Sequence, residues 1–477
     1  CKEPKASSPL PSVTIAQTPT KTKADDCRDW STVDLEKLAP LTEGRHAALL
    51  DEVWRRVAEK HFDPTLGCKD WPALRQVYAR KLAEAADDAQ AYGHINALLD
   101  ELGHSHVRLY PPVRAEDQKG PTSPALAVRW IEEQLVVVRS EAEGPQGKVH
   151  AGATLLAVSD FSAKRMIEQV RARTEAHTFA LEIARAAAVR LSCERAGQTR
   201  KLKVTDPTKD HSLAIRVVPC LAPQGDRVTL GNLRDVPTRV EHAMIPGTTV
   251  GVLAFNVWML PMVKKVQAAM TDLRGQGMQA LVLDLRGNPG GVGAMAVPVA
   301  RMLLSDDGSL GTMRFREFEQ ELNVERGEEQ PFAGPVAVVV DEGTASTSEI
   351  FVVGLRDLGR VTVVGAQPSA GAALPSVIEQ MKGGALLQYV VADYHSPKGT
   401  VVEGKGVTPD IVVVETRDDF AAGRDPVLDA AVAHVTEALT KAPPPAADTT
   451  TKTETSTGDD PPAPGVGTSA GAPSSSG

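Results

Sequence analysis

The chain lacks a long basic run, lacks any apolar stretch of bilayer-spanning length, and has only five cysteines in 477 residues. Each absence removes a class of function. With 52 Lys and Arg against 61 Asp and Glu, a net charge of -9, and no basic block, a nucleic-acid partner is not expected. Without about 20 consecutive apolar residues no membrane-spanning helix is expected. No two cysteines have the C-x-x-C spacing of a zinc or redox site, so neither metal nor cofactor is assigned. The glycine-rich segment DLRGNPGGVG, residues 284–293, does not have the spacing of a P-loop or a dinucleotide fingerprint. What remains is 42% hydrophobic residues, enough for real cores in a chain whose length implies about three domains.

The pattern changes along the chain. Residues 1–41 are polar, rich in Pro and Thr near the start and without hydrophobic periodicity, as in a flexible linker. Across 42–112 apolar residues recur at helical spacing, as in Leu50, Val53, Trp54 and Val57 and again in Ile95, Leu98, Leu99 and Leu102, while Pro72 stands where a new helix would begin. Residues 122–222 carry short β-rich runs. From 240 to 440 apolar strands alternate with helices, which implies an α/β core around a covered sheet. Residues 441–477 have almost no apolar side chains and are expected to be disordered. Beside Cys1, the cysteines are Cys27, Cys68, Cys193 and Cys220. An even set suggests two disulfides if the chain is exported, with three pairings possible, and proximity favours Cys27 with Cys68 and Cys193 with Cys220.

Two segments follow strands of the α/β core and could carry chemistry. One is VVVDEGTASTSEIF, residues 338–351, in which Ser346 stands three residues before Glu349. That is the spacing of a helix capping box. It is also a serine delivered by a strand to a helix N-terminus, where free N–H groups favour a developing oxyanion. The other is DLRGNPGGVG, residues 284–293, whose glycines permit close backbone approach and free N–H donors. By itself it reads equally well as a tight strand-to-helix turn. A serine needs a base, so the rest of the chain has to supply one.

Taken in order, DLRGNPGG, TASTSEIF with GLRDLGRVTVVG, and EGKGVTPDI resemble the serine peptidase family of C-terminal processing (tail-specific) proteases and tricorn protease. The resemblance extends over about residues 45–415, since DEVWRRVAEKHFDP and NALLDELGHSHVRL are similar to the helical domain of tricorn-type members. It implies a crotonase-like α/β protease core, an N-terminal helical domain and, over 122–222, a PDZ-like peptide-binding domain, although AGAT stands where a Pro-Gly-Asp turn is usual. It places the nucleophile on Ser346. Processing proteases pair that serine with a lysine, but here Gly371 occupies the lysine's place. The tricorn-type branch uses a different set, which falls on His106 as base, Ser105 beside it and Glu403. Oxyanion donors would be the N–H of Thr347 and one from Gly290 or Gly291. His104 as base, and a Ser/Lys pair using a displaced Lys398 or Lys405, remain alternatives, as does an inactive relative that only binds peptides.

The start, CKEPKASSPLPSV, resembles a processed bacterial lipoprotein with an acylated Cys1, which implies a membrane-anchored peptidase of the cell envelope acting on proteins or peptides.

Overall fold

Alternate residues along the strands of the α/β core point to opposite faces, and both faces are covered. A computed structural model describes residues 27–42, 44–112, 122–172, 174, 178–230, 233–327 and 329–441. The expected anchor residue Cys1 and the expected disordered tail beyond 441 lie outside these. Six strands form the core sheet, ordered in space Val240–Met244, Val250–Phe255, Ala280–Asp284, Val336–Val340, Thr362–Gly365 and Ile411–Val412. The first pair is antiparallel and the others parallel. Leu281, Leu283, Val336, Val338 and Val340 pack against Met262, Val266 and Phe351 of the helices on one face. Ala280, Val282, Ala337 and Val339 pack against Val427, Ala431 and Val435 of the helix Pro426–Lys441 on the other. Period-two alternation within a run that is apolar throughout is what a doubly covered parallel sheet requires.

This topology aims three loops at one place. Ala280–Asp284, Val336–Val340 and Thr362–Gly365 are neighbours running in the same direction. The segments after their carboxyl ends, 285–292, 341–346 and 366–373, therefore meet at one edge, where α/β folds gather their chemistry.

The helical region contains Ala47–Lys60, Trp71–Ala83 and Asp88–Asp100. Asp70 caps the second by accepting from Ala73 N, and Pro72 stands in its first turn, where the sequence suggested a helix start. Trp54 and Trp71 each donate an indole N–H to the other's backbone carbonyl. Residues 27–41, expected as linker, are instead built into this region. Trp30 is buried and packs edge-on against Trp54, and a disulfide joins Cys27 to Cys68. A single buried tryptophan in a polar segment carries no periodicity, which is why the boundary was not visible.

The strand Arg108–Tyr110 pairs with Leu386–Val390, which pairs with Ser376–Gln380. Distant chain segments are thereby joined, as in the pairing of Arg108 with Gln388, and the turn carrying residues 103–107 is held against the core. The middle region has a four-stranded sheet, ordered Phe161–Ser162, Leu155–Val158, Thr199–Asp206 and Ser212–Pro219, and the hairpin Leu126–Ile131 with Gln134–Ser140. The helices Ala163–Arg171 and Phe179–Leu191 pack on this apolar core, and Cys193 is bonded to Cys220.

Candidate active site

Ser346 ends the loop after Val336–Val340 and precedes the helix Thr347–Asp357. Its backbone has φ 57° and ψ -122°, a strained conformation for a non-glycine residue, of the kind imposed where a nucleophile must project from a strand-to-helix turn. The strain is held from several sides. Ser346 N–H donates to Ala372 O at 2.9 Å and to Glu349 Oε2 at 3.0 Å. Ala345 N–H donates to Asn288 O at 3.0 Å. Ser348, the other serine of the run, is fully buried. Its Oγ donates to Asn288 O at 3.1 Å and accepts the Trp258 indole N–H at 2.8 Å, which leaves it no role as a nucleophile.

The Gly-rich turn lies directly on this serine. A Cβ on Gly290, whose φ is +91°, would stand 2.6 Å from Ser346 Cβ and 2.9 Å from Thr347 N, so only glycine fits. Gly290 N–H donates to Asn288 Oδ1 at 3.0 Å. The Thr347 hydroxyl donates to Gly291 O at 3.0 Å, which ties the turn to the helix start. The N–H of Thr347 belongs to the first helical turn and has no intrahelical partner.

Ser105, His106 and Glu403 come together although 298 residues separate the first from the last. Glu403 accepts from Ser105 N at 2.7 Å through Oε1, and from Ser105 Oγ at 2.9 Å and Ala373 N at 2.9 Å through Oε2. Ser105 Oγ lies 2.7 Å from His106 Nδ1. The carboxylate can only accept, so the hydroxyl proton points to Glu403 and Ser105 Oγ must accept from Nδ1–H. That fixes the tautomer and leaves Nε2 with its lone pair. Burial, and then the charge of Arg185, push the His106 imidazolium down to about 4, so the ring is neutral at neutral pH. His104 is turned elsewhere. Its Nδ1 lies 3.1 Å from His61 Nε2, and the two rings stack.

The loop 369–373 joins the two halves. Ala372 O accepts from Ser346 N, and one residue later Ala373 N donates to Glu403. At Gly371, φ is +71° and a Cβ would meet the backbone nitrogens of Lys405 and Gly406 at 2.9 Å. The space a lysine side chain would leave by is filled by the loop that carries Glu403. Lys398 and Lys405 are both exposed.

Two buried acids next to Ser346 were not singled out as functional by sequence reasoning. Asp341 Oδ1 accepts from Gly287 N at 2.8 Å and Gly343 N at 2.9 Å, holding both loops at once. Glu342 receives two guanidinium N–H groups of Arg129, a residue of the middle region, at 3.0 and 2.8 Å, and Arg129 also reaches Glu415. Burial and the neighbouring Glu342 raise the Asp341 carboxyl. Burial alone would raise Glu342 too, but Arg129 holds it low. The adjacent acids at a strand end in VVVDEG were the available signal. Their partner Arg129, more than 200 residues away, had none.

Between the middle region and the core lies a cavity of about 1070 Å³, lined by Leu126, Val128, Leu181 and Arg185 on one side and Gly287 and Gly343 on the other. Leu181 packs on Ala345 and Ala370, so the helix Phe179–Leu191 reaches the loops around Ser346. Among the described residues no cluster of three or more His, Cys, Asp or Glu is arranged to hold a metal ion, and no helix is long and apolar enough to cross a membrane.

Residues 249–413 match the model of peptidase family S41. A carboxyl-terminal-processing protease of Picosynechococcus is 26% identical over 387 residues, covering 78% of this chain and 84% of the relative. One from Synechocystis is 26% identical over 382 residues, covering 78% and 82%. Among solved structures, mature CPAF complexed with lactacystin superposes with a TM-score of 0.58 at 13% identity over 82% of this chain and 97% of the other, a likeness of fold. The chain carries a peptidase family S41 domain and, as a homologue of the carboxyl-terminal-processing proteases, is a serine-type peptidase.

Proposed function

We propose that the chain is an exported peptidase of the carboxy-end processing type that hydrolyses peptide bonds through an acyl-enzyme on Ser346, using the tricorn-type set His106, Ser105 and Glu403. The observation that carries this reading is the relay from Glu403 through Ser105 Oγ to His106 Nδ1, together with the filled space at Gly371. In the first step His106 Nε2 takes the Ser346 hydroxyl proton as Oγ bonds to the scissile carbonyl carbon. The imidazolium so formed is stabilised through Ser105 by Glu403 and gives its proton to the departing amine. Water then repeats the sequence to release the acyl group. The oxyanion is received by the N–H groups of Thr347 and Gly291. The N–H of Gly290 already donates to Asn288, which favours Gly291 of the two.

The middle region is taken as PDZ-like. Its strand Leu126–Ile131 and helix Phe179–Leu191 face a cavity continuous with Gly287 and Gly343, a geometry suited to an extended peptide whose chain continues toward Ser346. The α/β core is taken as crotonase-like. Two disulfides support export, because such bonds persist in oxidising compartments.

The test is labelling with a fluorophosphonate, mapped by mass spectrometry. The parent protein is expected to carry the adduct on Ser346, and Ser346→Ala and His106→Ala are expected to abolish it. Labelling that survives His106→Ala transfers the base to His104 or a lysine. No label on folded parent protein leaves a peptide-binding role in place of catalysis.

A further inference from the structure

The carboxyl group closest to the nucleophile in the chain has no part in the mechanism above. Glu349 is fully buried, yet both of its oxygens are saturated by donors. Oε1 accepts from Ser369 Oγ at 2.5 Å and Gly371 N at 2.7 Å, and Oε2 from Ser346 N at 3.0 Å and Ala372 N at 2.9 Å. A helix cap needs one such bond, to the N-cap N–H. The other three go to a separate loop, and Ser369 Oγ also accepts from Val407 N at 2.7 Å, which extends the hub to the segment following Glu403.

We propose that Glu349, as a carboxylate, is a positioning residue for catalysis, joining the backbone of Ser346 to the loop that holds Glu403 and so setting the nucleophile against its base. The inference rests on the reading of Ser346 as nucleophile. Four donors converge on two oxygens, an arrangement that only an acceptor with no proton of its own can satisfy in full. When the carboxyl is protonated, one oxygen becomes a donor facing donors, and a contact between the two loops is lost.

Titration then has a defined consequence. Burial pushes Glu349 up to about 7, against its four hydrogen bonds, which pull it down. The ionisable groups on the surrounding segments are Asp341 and Glu342 on the loop before its helix, Arg356 and Asp357 at the far end of that helix, Glu403 and Lys405 on the last loop, His106, and Arg185 on the covering helix. None of them is hydrogen-bonded or ion-paired to Glu349 among the described residues. As pH falls through about 7 the carboxylate is lost, while His106, pushed down to about 4, stays neutral and able to act as base.

The experiment follows the rate of fluorophosphonate attachment to Ser346 from about pH 5 to about pH 9 in the full chain. In the parent the rate is expected to fall on the acid side with a midpoint near 7. Glu349→Gln, which puts an amide donor among the donors, is expected to lower the maximal labelling rate about 10²-fold with the probe's half-saturation changed less than about threefold. Ser369→Ala keeps the carboxylate but removes a donor that lowers its pKa, so its acid limb is expected to move to higher pH by at least about half a unit. A merely structural role would not move that limb. Labelling of Glu349→Gln within about threefold of the parent, or an unshifted limb in Ser369→Ala, overturns the proposal while leaving Ser346 as nucleophile. A parent that takes no label at any pH sinks the nucleophile and this proposal together.

Discussion

Replacing Gly371 by lysine would restore in sequence the residue that processing proteases place there, and the structure says that it will not restore a Ser/Lys pair. The backbone at Gly371 has φ +71°, and a Cβ there would approach Lys405 N and Gly406 N at 2.9 Å and Gly404 C at 3.2 Å. Left-handed backbone costs a non-glycine residue about 1–2 kcal/mol, and overpacking against atoms that cannot rotate away adds about 1–3 kcal/mol. The sum, about 2–5 kcal/mol, exceeds what the hydrogen bond from Gly404 N to Gly371 O, 2.8 Å long, can resist at about 1 kcal/mol. The Glu403 loop should therefore move away, and Glu403 should lose its hold on Ser105. Thermal unfolding is expected to fall by roughly 5–15 °C, and fluorophosphonate labelling of Ser346 to drop in both Gly371→Lys and Gly371→Ala, because the clash belongs to the Cβ and not to the amine. A Gly371→Lys protein that melts with the parent and still labels after His106→Ala would refute the reasoning, since the lysine would then both fit and act.

Two further substitutions probe the walls of the site. Gly290→Ala puts a methyl group 2.6 Å from Ser346 Cβ and is expected to lower kcat by about 10²–10³, the scale of a displaced oxyanion donor; activity above about a third of the parent's would contradict the geometry. Arg129→Met leaves Glu342 and Glu415 buried without their cation and is expected to destabilise the protein by about 3–5 kcal/mol. Unpaired buried carboxyls have folded-state pKa values above their unfolded ones, so their penalty shrinks as pH falls and they take up protons. Denaturation of this variant should show part of the loss recovered near pH 5 relative to pH 8, and an equal loss at both would point to a packing effect alone.

The alternation of strands and helices after residue 240 was legible because the central strands Ala280–Asp284 and Val336–Val340 are buried on both faces and the long helices carry an apolar face, which leaves strong local patterns. The site was legible only as separate fragments. Ser346 and the Gly-rich turn stand at strand ends, where the local pattern itself announces a loop. That Ser105 and His106 stand near them depends on the pairing of Arg108–Tyr110 with Leu386–Val390, a contact with no local signature, and only resemblance to a family supplied it. Glu349 read as a cap because one of its four bonds is a cap. The remaining three run to residues 369–372, a stretch of small residues whose contribution is backbone N–H groups and a single hydroxyl, and backbone donors leave no trace in a sequence.

His106 and Glu349 are displaced in opposite directions by the same cause. Desolvation penalises charge, so it lowers the histidine and raises the glutamic acid. In an ordinary Ser/His hydrolase the loss of activity on the acid side reports the base. On the proposed mechanism His106 remains neutral down to about 4 while Glu349 takes up its proton near 7, so between those values the proposed base is competent but the proposed aligning carboxylate is not. Assigning the acid limb to histidine by habit would place the base in the wrong environment. On that mechanism the part-buried relay through Ser105 and Glu403 keeps a carboxylate within reach of the imidazolium formed during the reaction, even though that imidazolium does not form at rest.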